Sequence, residues 1–214
     1  MGSKTYKVNA KYFGDMVSYM DFSVSRIVNT LDQLGLRKKT LIIFTADNGT
    51  DVPVVSMMDN ISVVGGKGKT TDNGTHVPLI VSWPGKVKPN AHTNTLIDFS
   101  DFFPTICDVA GIQLDSNLDL DGISFYPELI GKKAIQRRWI HTWYNRDGGS
   151  NPLRATREWV RDETYKLYVG NEFYNVKKDP EEQYNIPLEL MSDDEKTLRQ
   201  EFIAILQSYT YLRN

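Results

Sequence analysis

The sequence predicts an α/β fold that gives way, after Gly122, to a small antiparallel sheet closed by a C-terminal helix. Three observations carry this expectation. An apolar stripe at three- and four-residue steps marks a helix from about Tyr12 to Leu34. Two short apolar segments, Leu41 to Phe44 and Val77 to Trp83, read as strands covered on both faces. Beyond Gly122 the chain breaks into short aromatic-rich stretches separated by turn residues.

The first helix places Met16, Met20, Val24, Ile27, Val28, Leu31 and Leu34 on one face, and Gly35 ends it as a C′ residue. The strand from Leu41 runs into Ala46-Asp47-Asn48-Gly49. A buried strand that stops on a carboxylate beside a carboxamide is either a turn or a metal site at the carboxyl end of a sheet strand. Asp51 to Lys69 has no clear period and three glycines near its end, and is expected to be a loop. Val77 to Trp83 is closed by Pro84-Gly85. Phe99 to Gly111 reads as a short helix with Pro104 in its first turn and Gly111 as its stop. Trp139 to Tyr144, Arg157 to Arg161, Tyr165 to Val169 and Glu172 to Asn175 are the strands of the small sheet. Ser192-Asp193-Asp194-Glu195 matches a capping box that opens a helix burying Leu198, Phe202, Ile205 and Leu206. The expected domains are residues 4–122 and 123–214.

With 214 residues, 40% apolar and 24% charged, the chain is long enough and apolar enough to fold. A net charge of −2 gives no basic footprint for nucleic acid or an anionic membrane. One cysteine excludes an intramolecular disulfide framework. No apolar run is long enough to span a bilayer, and no charged-then-apolar leader opens the chain. The start is abrupt, with Met1-Gly2-Ser3 reading as an expression scar, so the chain is expected to be a piece of a longer protein.

Gly65 to Gly85, "GGKGKTTDNGTHVPLIVSWPG", sets glycines on both sides of Lys67. Backbone amides there are expected to approach an anion while the ammonium supplies charge. A nucleotide phosphate loop needs a different spacing and a following helix, and is rejected. Taken alone, Lys67 and Lys69 read as part of a solvated loop.

The order "FTADNG", "GGKGKTTDNGTHVPLIVSWPG", "DFSDFFPTICDVAGI", "EFYNVKKDPEEQYNI" resembles the sulfatase family of the alkaline phosphatase-like superfamily, in its C-terminal half. Each motif is weak; the order and spacing are specific. The resemblance implies the C-terminal part of an α/β/α sandwich plus a small antiparallel sheet packed with a C-terminal helix. It implies that Asp47 and Asn48 are Ca2+ ligands and that Lys67 contacts the substrate sulfate. A carboxylate and an amide oxygen are hard donors suited to Ca2+. Related phosphatases carry Asp-His at this place, so Asn48 favours the sulfatase branch. The implied partner is a sulfated small molecule or carbohydrate, with no nucleic acid and no membrane span. Self-association through exposed core surface is also expected. The parent is expected to be periplasmic or secreted.

The chain departs from the family at Asp72-Asn73-Gly74-Thr75-His76, where an arginine often stands in place of His76. No catalytic role is assigned to His76, His92 or His141. The family's nucleophile is a formylglycine made within Cys/Ser-x-Pro-x-Arg. Cys107 lacks that context and reads as a small core residue. Ser150-Asn151-Pro152-Leu153-Arg154 matches the pattern but reads as a loop before a strand. The expected function is therefore sulfuric ester hydrolysis by the parent, with this chain lacking the nucleophile and inactive alone. It is also expected to bind Ca2+ weakly or not at all. The alternatives are a phosphodiesterase or phosphonate hydrolase of the same superfamily, or a non-catalytic carbohydrate-binding or assembly relative. Specificity is expected in Val52 to Ile61 and Tyr144 to Pro152, while Trp143 and Tyr144 read as core packing rather than a sugar platform.

Overall fold

The computed structural model describes residues 10–145 and 156–213. The chain forms two compact units, Met1–Pro89 and Asn90–Asn214. Among the described residues, no helix is long and apolar enough to cross a membrane.

In the first unit, helix α1 spans Phe13–Gln33, close to its predicted bounds, and Gly35 leaves it at φ 66°. The apolar stripe is present, but no α1 residue is buried, and Met16 and Ile27 are 64% and 60% exposed. Strand β1 (Ile42–Thr45) pairs antiparallel with a later strand, Leu79–Ser82, from Ile42 opposite Ser82 to Thr45 opposite Leu79. Full cover on both faces was the expectation for these strands. All four β1 residues are instead half-buried, and Ile80 is exposed. A pattern of apolar residues reports a face that wants cover, not what covers it. The connection after α1 is fastened to the far strand by Arg37, which donates to Ser82 Oγ at 2.5 Å, and by Trp83 Nε1, which donates to the Lys38 carbonyl at 2.9 Å.

The loop expected over Asp51 to Lys69 is corrected by the structure. It contains a hairpin, β2 (Val55–Met58) and β3 (Ile61–Val64), paired from Val55 opposite Val64 to Met58 opposite Ile61. Asp59 makes the two-residue turn with φ 53°, a left-handed conformation that Asp tolerates. The single-turn helix α2 (Asp72–Thr75) follows, and then the Leu79–Ser82 strand, β4.

In the second unit, Asp98 caps a short 3-10 turn (Phe99–Asp101) through a capping box, and α3 (Phe102–Val109) continues from it. Pro104 and Thr105 are buried, as is Cys107, in line with its reading as a core residue. Gly111 ends the segment at φ 70°. Helix α4 (Tyr126–Leu129) leads to the sheet: β5 (Ile140–Asn145), β6 (Thr156–Arg161), β7 (Tyr165–Tyr168) and β8 (Phe173–Asn175), in that order and antiparallel throughout. Helix α5 (Asp193–Ser208) starts at the predicted capping box of Ser192 and Glu195. Its Phe202 and Leu206 pack with Val160, Leu167, Phe173 and Met191 in the core, with Leu198 and Ile205 at its margin. Four aromatic or apolar stretches thus become one sheet because α5 covers one face of it. Ser150-Asn151-Pro152-Leu153-Arg154 lies outside the described residues.

Buried polar pairs fasten this unit. The Asp101 carboxylate accepts from the amides of Asp98 (2.8 Å) and Ile123 (2.6 Å) and from the guanidinium of Arg137. The Lys166 ammonium lies 2.7 Å from Glu182, 4.5 Å from the Trp159 ring centre and 4.8 Å from that of Tyr168. His141 Nε2 lies 3.0 Å from Glu158, and its ring stacks on Tyr209 at 3.8 Å. The Tyr209 hydroxyl donates to Asp121 at 2.7 Å, and burial, then the Asp121 carboxylate, hold that hydroxyl well above its usual pKa.

Candidate functional site

Strand β1 delivers the chain to Asp47 and Asn48. Asp47 is exposed and Asn48 half-buried, and neither side chain makes a hydrogen bond among the described residues. The backbone immediately after them is stitched to the glycine-rich segment. The Gly49 amide donates to the Gly74 carbonyl at 2.9 Å. The Thr50 carbonyl accepts from the amides of both Gly66 and Lys67, each at 2.9 Å. These bonds need close backbone approach: a Cβ at Gly49 would strike the Asn73 carbonyl, and one at Gly74 would strike the carbonyls of Gly66 and Lys69. The strand end and the Lys67 loop are therefore one cluster, joined through the second residue after Asn48.

One expectation changes here. The Gly66 and Lys67 amides are committed to Thr50, so they do not form an anion cradle. The exposed Lys67 ammonium is left to meet an anion as a flexible point charge. Asn73 went unnoticed in the sequence beyond its place in a variable family motif. Its Oδ1 accepts from the Thr71 hydroxyl at 2.5 Å, and its Nδ2 donates to the Val64 carbonyl at 3.2 Å, tying α2 to the root of the hairpin. The signal for it was the Thr-x-Asn-Gly spacing, in which short polar side chains bond nearby backbone.

Asp47 and Asn48 present hard oxygens in a form Ca2+ accepts, which fits the ion, but they are two donors where it takes six to eight. Among the described residues no group of three or more His, Cys, Asp or Glu side chains is placed to hold a metal. Asp51 is turned to its own loop, accepting from the Val52 amide at 3.0 Å. His76 and His92 are exposed, and His141 is occupied by Glu158 and Tyr209 in the second unit.

Comparison with known proteins bears on this geometry. The sulfatase family model matches residues 3–112, and that of the N-sulphoglucosamine sulphohydrolase C-terminal region matches residues 67–207. Mouse steryl-sulfatase is 36% identical over 125 residues, 56% of this chain and 20% of that protein. N-acetylgalactosamine-6-O-sulfatase of Bacteroides thetaiotaomicron is 28% identical over 203 residues, 81% of this chain and 38% of that protein. The solved structure of BT4656 in complex with its substrate D-glucosamine-2-N,6-O-disulfate superposes with a TM-score of 0.69 at 22% identity, covering 91% of this chain and 39% of that one. The chain thus spans 20–39% of the length of these three relatives. Over that span its fold is the alkaline phosphatase-like one expected from the sequence, and the chain belongs to the sulfatase family.

Proposed function

We propose that this chain supplies one side of a sulfuric ester hydrolase site. The Asp47 carboxylate and the Asn48 carboxamide oxygen ligate Ca2+, and the Lys67 ammonium contacts the sulfate of the ester. The carrying observation is the double hydrogen bond from Gly66 and Lys67 to Thr50, which brings the Lys67 loop to the end of β1. Bound Ca2+ supplies positive charge against the sulfuryl oxygens during S–O cleavage. Lys67 adds a second positive charge that offsets the negative charge on those oxygens and that growing on the departing alcohol oxygen. Asn73 and the glycines hold the loop so that this charge stays near the metal ligands.

The attacking group and the remaining ligands belong to sequence beyond these residues, since Cys107 is buried in α3 and lacks the nucleophile context. The chain alone is accordingly inactive and binds Ca2+ weakly. The substrate is a sulfated small molecule or carbohydrate, as the names of the relatives suggest. Residues 4–122 form the core domain carrying the site, residues 123–214 its C-terminal subdomain, and the parent works in the periplasm or outside the cell. Calorimetric titration with Ca2+ at neutral pH, beside assays with an aryl sulfate and a sulfated sugar, tests this reading. Weak or undetectable Ca2+ binding and no turnover are expected. A micromolar site abolished by Asp47→Ala, or clear turnover by clean protein, would show that the chain holds ligands or a nucleophile this reading leaves out.

A further inference from the structure

Asn48-Gly49 and Asn73-Gly74 are the two Asn-Gly pairs of the chain. Such a pair has a reaction of its own. The glycine nitrogen gives up its proton to water and attacks the asparagine Cγ. The Cγ–N bond of the carboxamide breaks, ammonia leaves, and a five-membered succinimide closes. Water then opens the ring to aspartate or isoaspartate, so an amide is exchanged for a carboxylate with no oxidant or reductant. Glycine resists this least, because no Cβ hinders the approach or the backbone rotation it needs. A glycine N–H that already donates to a carbonyl is held back twice: its proton is engaged and its peptide plane is fixed.

Both glycine amides are engaged in this way. Gly49 donates to the Gly74 carbonyl at 2.9 Å, and Gly74 donates to the Thr71 carbonyl at 2.9 Å. The two asparagine side chains differ. Asn73 is tied at both ends, by the Thr71 hydroxyl and the Val64 carbonyl, and a Cβ at Gly66 would strike its carboxamide. Its Cγ is therefore fixed as well as its neighbour's nitrogen. Asn48 is half-buried and makes no side-chain hydrogen bond among the described residues. At Asn48 the Gly49–Gly74 hydrogen bond alone opposes ring closure. The same contact makes glycine obligatory there, since a Cβ on Gly49 would lie 2.0 Å from the Asn73 carbonyl oxygen. The close approach that puts the most labile residue after Asn48 also occupies that residue's nitrogen.

We infer that Asn48 is a deamidation site latched by the Gly49–Gly74 hydrogen bond, and that opening this bond converts it to aspartate or isoaspartate. The chemistry needs only this geometry; that the change falls on a Ca2+ ligand rests on the proposed function. Peptide mapping by mass spectrometry tests it on the whole chain, held warm at mildly alkaline pH with and without denaturing urea. In urea, Asn48 and Asn73 should convert at similar rates. In the folded chain Asn48 should convert about tenfold more slowly than in urea, the protection of one backbone hydrogen bond, and Asn73 more slowly still. Asn73→Ala unties α2, and should quicken Asn48 conversion and hydrogen exchange at the Gly49 amide by the same factor, because both need the same bond to open. Urea below the unfolding transition gives the same comparison in the wild type, so the test does not depend on that variant's folding. Asn48→Gln, whose longer side chain closes the ring poorly, should remove the signal at residue 48. Conversion of Asn48 as fast in the folded chain as in urea, or in neither, would overturn the inference. So would faster conversion of Asn73 than of Asn48 in the folded chain, or Gly49 exchange that quickens without any change in Asn48 conversion. Each readout is a mass or an exchange rate, so failure here leaves the Ca2+ reading standing, and failure of that reading leaves this one.

Discussion

Replacing Asp101 by Asn should be the most damaging polar substitution in the second unit. Asp101 and Arg137 have side chains 3% and 7% exposed. Four donors converge on the two carboxylate oxygens: the amides of Asp98 and Ile123 and two guanidinium nitrogens. Burial opposes the Arg137 charge, yet the hydrogen bond and charge of Asp101 outweigh it and raise the Arg137 pKa. Asparagine keeps one acceptor oxygen and turns an NH2 group toward the two donors of the other, one backbone amide and one guanidinium nitrogen, so both lose their partner and the guanidinium loses its counter-charge. Breaking a buried pair from one side costs about 3–5 kcal/mol. At roughly 4 °C per kcal/mol for a unit of this size, the melting temperature should fall by about 12–20 °C. Glu201→Gln is the control. Its partner Arg138 lies 3.2 Å away, but the side chains are 52% and 79% exposed, and such a pair is worth under about 1 kcal/mol. Urea unfolding followed by tryptophan fluorescence reports both, because Trp139, Trp143 and Trp159 lie in this unit. A loss below about 1 kcal/mol for Asp101→Asn, no larger than that of Glu201→Gln, would refute the reasoning.

Three further outcomes follow from other parts of the chain. Glu195 has a lowered pKa, first from the Ser192 amide and then from the Tyr165 hydroxyl. Its contribution to stability is present above the ordinary glutamate pKa and lost as pH falls through the lowered value, so Glu195→Gln should flatten the acid limb of a stability–pH curve. Asn73→Ala removes the side-chain bonds to Thr71 and Val64, and hydrogen exchange at Gly65 and Gly66 should quicken by about tenfold, the equivalent of one hydrogen bond of roughly 1.4 kcal/mol; unchanged exchange would deny Asn73 its stitching role. Met20 and Ile27, 43% and 60% exposed, stand on the same face of α1. Sedimentation should show concentration-dependent association that Met20→Lys with Ile27→Lys reduces, and a monomer at all concentrations would contradict this.

What the sequence disclosed was local. The capping box of α5 lies within four residues, and its helix starts where those residues place it. The C-terminal strands were legible because aromatic stretches alternate with turn residues, and α3 because Pro104 and Gly111 bracket it. The β2–β3 hairpin was not legible. Both of its faces are apolar, so Val55 to Met58 shows no alternation, and its turn is Asp59-Asn60 rather than a glycine-containing pair. The buried Asp101–Arg137 pair was hidden for a different reason: 36 residues separate the partners, and only the tertiary fold joins them. At the candidate site, the resemblance singled out Asp47, Asn48 and Lys67. The Thr50 carbonyl that gathers their loops is a backbone group, which residue types do not reveal.

The central claim is that the end of β1 holds Ca2+ while Lys67 takes the sulfate. Heteronuclear NMR on the whole chain tests it most directly, titrating Ca2+ first and an aryl sulfate second. Ca2+ at high concentration should shift the Asp47 and Asn48 resonances, and Asp47→Ala should abolish the response. The aryl sulfate should then shift the Lys67 side chain, and charge-matched Lys67→Arg should retain part of that response. Shifts confined to other acidic residues on adding Ca2+, or a sulfate response that leaves Lys67 unmoved, would contradict the account.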